Sequence, residues 1–220
     1  MHKLDSRDYF ERDADEFGRM YAGENCKDLI RRMTFIYHKR LIKKRVNALI
    51  ELCGEVKGKK ILDVGCGQGT NTVLLAKKGA IVDAIDFSES MLNIARQHAK
   101  LNGVDSRCNF FKTDLFNYSP PIKYDIVFAT GVTDYIHYSK REFFFKKMDS
   151  LTVNTIILSF PRRWHLHAFI RKFWLNLFKK CPVFFFSKSE YEQIFKKFGY
   201  DIDGVIDLGI LWVVRGVKKL

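Results

Sequence analysis

Lys60-Ile61-Leu62-Asp63-Val64-Gly65-Cys66-Gly67-Gln68-Gly69-Thr70, followed a short helix later by Val82-Asp83-Ala84-Ile85-Asp86-Phe87-Ser88, is the part of the chain that decides its fold. Ile61, Leu62 and Val64 make an apolar run suited to a strand buried on both faces, and the glycines behind them end it in a tight turn. Without a Cβ, Gly65, Gly67 and Gly69 can take positive φ and let a ligand approach the backbone. Thr70 stands where a helix cap is expected, ahead of Val73-Leu74-Leu75-Ala76. Asp86 then closes the next apolar strand.

The spacing of the glycines separates two cofactor chemistries. A dinucleotide site calls for G-x-G-x-x-G, with pyrophosphate on the helix N-terminus and an acid about twenty residues on for a ribose. Asp86 fits that acid, but the third glycine falls one place early, at Gly69, with Thr70 in its expected position. The resulting D-x-G-x-G-x-G from Asp63 resembles the first motif of the class I S-adenosylmethionine (SAM)-dependent methyltransferases. SAM carries an ammonium, a carboxylate, a sulfonium and a ribose diol but no phosphate, so flanking carboxylates suit it where a phosphate site would avoid them.

Outward from this motif, strands and helices alternate: strand 60–64, helix 71–78, strand 81–86, helix 89–101, strands 107–111 and 124–129, helix 139–150, strand 153–159. Such alternation predicts a mostly parallel sheet covered on both faces. Ser88 is placed as the N-cap of the second helix, whose buried face is Met91, Leu92, Ala95 and Ala99. Ligands of open α/β sheets bind beyond the carboxyl ends of the strands. Those ends are Asp63 to Gly69, Asp86-Phe87-Ser88, Thr113-Asp114-Leu115 and Ala129-Thr130-Gly131-Val132-Thr133. Toward the C-terminus, Ser187 and Glu190 form a capping box for a helix over Tyr191 to Phe198, and strands at about 201–207 and 210–217 read as an antiparallel hairpin. Val183-Phe184-Phe185-Phe186 is either a short strand or a loop that plugs the core.

Before the motif, residues 8–22 and 27–53 have helical periodicity, the second segment breaking near His38. Residues 1–57 are therefore expected to form a helical cap on a domain spanning 58–220. Between 162 and 181 a basic amphipathic helix is inserted, with apolar Leu166, Phe169, Ile170, Phe173, Trp174 and Leu177 opposite Arg171, Lys172, Lys179 and Lys180. Those charges exclude a membrane span. Three settings suit it: an anionic membrane surface, a lid over the acceptor, or plain packing on the sheet.

The formal net charge is +13, and from Lys140 to Lys197 thirteen Lys and Arg face four Asp and Glu. A basic surface concentrates anionic partners, whether nucleic acid, acidic lipid or a small anion, and is equally compatible with plain solubility. Five scattered cysteines without a C-x-x-C pair argue against a disulfide framework or zinc knuckle, and six scattered histidines show no metal-ligand spacing. The polar start Met1-His2-Lys3-Leu4-Asp5 is unlike a signal peptide, so the expected address is the cytoplasm, with peripheral membrane contact through 162–180 as an option.

The reversed last strand and the glycine motif together resemble the seven-stranded class I methyltransferase fold, Rossmann-like with strand order 3-2-1-4-5-7-6. That resemblance implies SAM as cofactor and S-adenosyl-L-homocysteine (SAH) as product. It implies that Asp63, Gly65, Cys66, Gly67 and Gly69 hold the methionine end, Asp86 the ribose hydroxyls, and Phe87 and Met91 the faces of the adenine. Thr113, Asp114 and the Leu115 backbone would border the adenine edge, with Thr130 and Gly131 beneath the cofactor. Tyr9-Phe10, Phe17-Gly18-Arg19-Met20-Tyr21 and Asp134-Tyr135-Ile136-His137-Tyr138 most resemble the small-molecule O-methyltransferases of magnesium-protoporphyrin, then the ubiquinone-pathway enzymes. That likeness places Tyr21 and His137 at the reacting centre. The basic stretch after 161 departs from the subgroup. Methyl transfer to oxygen of a small or lipid-like acceptor, anionic or membrane-delivered, is the expectation. Against it stand an RNA methyltransferase, which lacks both an RNA-binding appendage and an N/D-P-P-Y/F stretch here, a SAM-binding regulatory protein without turnover, and a nicotinamide oxidoreductase disfavoured by the glycine spacing.

Overall fold

The structure, a computed structural model, describes residues 29–163 and 182–219, with side chains described from Lys39 onward. Tyr21, the helix expected over 8–22 and nearly all of the basic helix lie outside those residues.

Twelve principal elements follow one another among the described residues: α1 (Leu29–Cys53), β1 (Lys60–Val64), α2 (Thr70–Lys77), β2 (Ile81–Asp86), α3 (Glu89–Leu101), β3 (Cys108–Lys112), β4 (Tyr124–Ala129), α4 (Arg141–Leu151), β5 (Thr152–Pro161), α5 (Lys188–Lys197), β6 (Tyr200–Asp207) and β7 (Leu211–Lys218). The seven strands form one sheet in the order β3-β2-β1-β4-β5-β7-β6. Its first five strands are parallel, and β7 runs antiparallel to both β5 and β6. This is the expected topology. Because β1 pairs with β2 on one side and β4 on the other, the chain reverses its direction of winding there. The ends of β1 and β4 consequently open a crevice at the sheet's carboxyl edge.

Alternation along the strands divides the core into two layers. In β4, Val127 and Ala129 face Phe144, Phe145, Met148, Tyr191 and Phe195, while Ile126 and Phe128 face Leu49, Cys53, Val73 and Leu75. The first layer is largely aromatic: Phe145 meets Phe195 and Tyr200 edge-on at centroid distances of 5.1 and 5.6 Å. The second is aliphatic and takes in the C-terminal half of α1.

Several boundaries differ from expectation. Helix α1 runs unbroken through His38, since Leu29–Cys53 contains neither Gly nor Pro, and it stops at Gly54 with φ 63°. A 3₁₀ turn at Asp105–Arg107 delays β3, and another at Tyr138–Lys140 precedes α4. The capping box at Ser187 is formed as expected and starts α5 at Lys188. Residues 183–186 are a core-filling loop, paired just beyond the end of β5 by one bridge between Phe186 and Arg162. Among the described residues no helix is long and apolar enough to cross a membrane.

Candidate cofactor site

The glycine turn is wound as its sequence requires. Gly65, Gly67 and Gly69 have φ of 71°, 53° and 74°, the left-handed region in which a side chain is strained. Their surroundings differ. A Cβ on Gly65 would lie 2.6 Å from Val132 Cγ2, and one on Gly69 2.9 Å from Ala95 Cβ, whereas one on Gly67 would meet nothing within 4 Å. Gly65 and Gly69 thus let the turn close onto its own protein, and Gly67 leaves an open face. The backbone N–H groups of Gly65 and Cys66 both donate to Ile85 O, at 2.8 and 3.1 Å, tying the turn to the end of β2.

Thr70 does not cap α2. Gly69 is the N-cap residue, in left-handed conformation, and no side chain accepts a hydrogen bond there. The extra glycine that distinguishes this motif takes the cap position itself and moves Thr70 into the first turn. Ser88 behaves as expected, accepting from Met91 N at 3.4 Å.

Two carboxylates sit behind the turn. Asp86 is 9% exposed; one of its oxygens accepts from Gly67 N and the other from Ser88 N, both at 2.9 Å. An ionised carboxyl has about four lone-pair sites, so both oxygens keep capacity for hydroxyl donors. Burial raises its pKa, opposed by the N–H groups of Ser88, Gly67 and Phe87. Asp63 is more enclosed, at 1% exposure, and accepts from Thr72 Oγ1 at 2.7 Å. Burial pushes it up to about 7, helped by the Asp86 charge and opposed by the Thr72 hydrogen bond and Arg45. Asp63 therefore braces α2 against β1 from inside the fold. Cys66 is a neutral thiol: burial and then the Asp63 and Asp86 charges raise its pKa well above the usual range, which removes it as a nucleophile.

Along the same edge, Met91 and Leu115 are buried and Phe87 is partly exposed. Thr113 N donates to Asp86 O at 3.0 Å, which brings the β3 end beside the β2 end. Asp114 caps its own loop: it accepts from Phe116 N, Asn117 N and Asn117 Nδ2 at 2.8, 3.0 and 2.8 Å. On the β4 side, Gly131 has φ 78° and donates its N–H to Ser159 Oγ at 2.8 Å.

His137 is exposed and is the N-cap of the 3₁₀ turn. Its Nδ1 lies 2.8 Å from Ser139 Oγ and accepts from Ser139 N at 3.3 Å, so the neutral ring offers Nε2–H outward as a donor. The ring packs edge-on against Phe184 at 5.1 Å.

Two further residues reach this crevice that sequence reasoning did not single out. Arg45 lies in α1, and its Nη1 would be 2.7 Å from a Cβ on Gly131. Asn71, in the first turn of α2, donates Nδ2 to Thr130 Oγ1 at 2.9 Å. Arg45 Nε and Asn71 Oδ1 are buried with no hydrogen-bond partner. In sequence, Arg45 is one of seven basic residues between 31 and 45, and Asn71 reads as an ordinary polar residue of a first helical turn. Among the described residues no group of three or more His, Cys, Asp or Glu could hold a metal ion.

Comparison with known proteins agrees with this geometry. Residues 61–154 match the family model described as a methyltransferase domain. The mitochondrial ubiquinone biosynthesis O-methyltransferase of Schizosaccharomyces pombe is 33% identical over 98 residues, 44% of this chain and 35% of that protein. The ubiquinone biosynthesis O-methyltransferase of a Shewanella strain is 45% identical over 60 residues, 27% of this chain and 25% of the relative. The chain thus spans about a third or less of these curated relatives. Among solved structures, magnesium protoporphyrin IX methyltransferase from Synechocystis PCC 6803 with bound SAH superposes with a TM-score of 0.78 at 23% identity, covering 99% of both chains. With its glycine turn, paired acids and strand order 3-2-1-4-5-7-6, this chain carries a class I SAM-dependent methyltransferase domain.

Proposed function

We propose that the protein transfers the methyl group of SAM to an oxygen of a small-molecule acceptor. The observation that carries this reading is the open, left-handed Gly67 whose N–H is held by the buried Asp86. The residues present fit the cofactor. An unblocked backbone face lies next to a carboxylate with spare acceptor capacity, suited to a ribose diol. A second buried carboxylate favours the positive charge of a sulfonium and ammonium over a pyrophosphate. In this reading Gly65 to Gly69 border the methionine end, Phe87 and Met91 the adenine faces, and Thr113, Asp114 and Leu115 its edge. Thr130 and Gly131 form the floor, and the Arg45 guanidinium meets the carboxylate. Bound SAM would supply an activated methyl group, so the protein's task is alignment of the acceptor and exclusion of water. His137 offers an outward N–H beside Tyr138 and Phe184, suited to holding an acceptor oxygen, and Tyr21 is its partner by resemblance alone. The choice of oxygen rests on the named activities of the O-methyltransferase relatives. An anionic acceptor suits the exposed Lys39, Arg40, Lys43 and Lys44 of α1, and the basic sequence after 161 suits its delivery at a membrane surface.

Calorimetry with SAH and with NAD tests the cofactor: SAH should bind and NAD should not. Radiolabelled methyl transfer from SAM to magnesium protoporphyrin IX or a ubiquinone precursor then tests the reaction. SAH binding without consumption of SAM in the presence of acceptors would leave a binding protein instead.

A further inference from the structure

Resting on that cofactor reading, we propose that Asn71 is a specificity-determining residue that receives the α-ammonium of the cofactor's amino-acid end. Among the described residues, the Asn71 amide has one partner on the protein side. Its Nδ2 donates to Thr130 Oγ1 at 2.9 Å, and Thr130 is itself only 7% exposed. In that arrangement Oδ1 is the remaining acceptor, and it is buried without a donor. Leaving such an atom unsatisfied costs about 1–3 kcal/mol, so the site calls for an N–H or O–H from a ligand.

The next residue along the chain from Thr130 supplies the complementary group. Gly131 has no side chain, and the Arg45 guanidinium lies over the space where one would be. Arg45 Nε is buried with no acceptor. Consecutive residues of one strand end therefore bring together an orphan acceptor from α2 and an orphan donor from α1. An α-amino-acid zwitterion presents an ammonium with three donors and a carboxylate with acceptors only, and would satisfy both at once. Phosphate, carboxylate or a neutral apolar group would leave Asn71 Oδ1 as it is.

The test is calorimetric binding of three ligands: SAH, its analogue lacking the α-amino group, S-(3-carboxypropyl)-thioadenosine, and 5′-methylthioadenosine, which lacks the amino-acid end. In Asn71→Leu the affinity for SAH should fall about tenfold or more, while the two analogues change less than twofold, so the preference for SAH over its deaminated analogue collapses. Asn71→Asp keeps an acceptor oxygen and should hold SAH within about threefold of the wild type. Unchanged SAH affinity in Asn71→Leu would overturn the proposal, as would a parallel loss of SAH and methylthioadenosine, which would make Asn71 only a brace of the turn. Loss of SAH in Asn71→Asp with methylthioadenosine retained would overturn it too, by assigning the role to the amide N–H. A wild type that bound none of the three would refute the cofactor reading itself, and the assignment of Asn71 with it.

Discussion

At the scale of single residues, three glycines with one backbone conformation have different consequences. A left-handed non-glycine residue costs roughly 1–2 kcal/mol, and that strain applies to each. Gly67→Ala adds nothing to it inside the protein, because no atom lies within 4 Å of the new methyl. Gly69→Ala adds a collision with Ala95 and so forces α2 away from α3. Urea unfolding should therefore show Gly67→Ala destabilised by about 1 kcal/mol and Gly69→Ala by clearly more, while SAH binding falls at least fivefold in Gly67→Ala, whose methyl occupies the ligand's side of the turn. A Gly67→Ala protein with wild-type SAH affinity would place the cofactor elsewhere. Asp63 makes a second distinction. Its folded pKa of about 7 lies above the ordinary 3.8, so as pH rises through that interval the unfolded chain releases the proton first. The stabilisation by neutral Asp63 is complete below the interval and lost by its upper end. In the ligand-free protein, Asp63→Asn keeps an oxygen for Thr72 and removes the titration. It should match the wild type near pH 4 and exceed it by up to a few kcal/mol at pH 8 in urea midpoints; a constant offset at both pH values would show that Asp63 does not titrate in this way.

At the scale of elements, the end of β5, the loop before α5 and the start of α4 are held at one carboxylate. Glu190 accepts from Ser187 N at 2.6 Å, from Arg163 Nη2 at 2.7 and 2.8 Å, and from Arg141 Nη1 at 3.1 Å. Arg141, with 8% of its side chain exposed, also donates to Phe185 O and lies against the rings of Phe186 and Tyr138 at 3.5 and 4.3 Å. Burial would raise the Glu190 pKa, but Ser187, Arg163 and Arg141 outweigh it and hold the group below its ordinary range. Its contribution is thus present above that range and fades as pH falls through the lowered pKa. Glu190→Gln should cost roughly 3 kcal/mol at pH 7, because it strands the buried Arg141 charge, and should cost little once acid has neutralised the wild-type carboxyl. The double variant Arg141→Met/Glu190→Gln should lose less than the sum of the single losses; strict additivity would show that the two do not interact. Here local and long-range information part. The capping box of Ser187 and Glu190 was legible because its partners are three residues apart. The two arginines reach Glu190 from 27 and 49 positions away, a distance no local spacing encodes. Arg45 and Asn71 were hidden for the same reason: each acquires its meaning only where β4 ends beside it.

For the molecule as a whole, alternation of apolar strands and helices shows in sequence because each element must bury a face, and all seven strands fell within one or two residues of their expected ends for that reason. Strand order did not come from periodicity, which is blind to pairing, but from likeness to a known fold. Charge is the property that no single element explains. A net +13 repels itself, and α1 concentrates that repulsion: Lys39, Arg40, Lys43 and Lys44 are exposed, and the first acid after Leu29 on that helix is Glu51. Lys39 with Lys43, and Arg40 with Lys44, are i,i+4 neighbours of like charge, each pair opposing the helix by about 0.2–0.5 kcal/mol at low salt. Among the attracting pairs, those at Glu190 have less to lose by screening than exposed ones such as Lys197 with Glu142 or Lys219 with Asp201. Glu190 is partly buried, and the Debye length, about 10 Å at 0.1 M salt, governs exposed charges first. The melting temperature of the ligand-free protein should therefore rise between 20 and 200 mM sodium chloride. Lys43→Gln/Lys44→Gln should melt higher than the wild type at 20 mM and gain less from added salt, since half of each repelling pair is gone. If the protein instead melted lower as salt was added, exposed attraction would outweigh repulsion, and the basic face of α1 would already be neutralised within the chain and unavailable to an anionic acceptor.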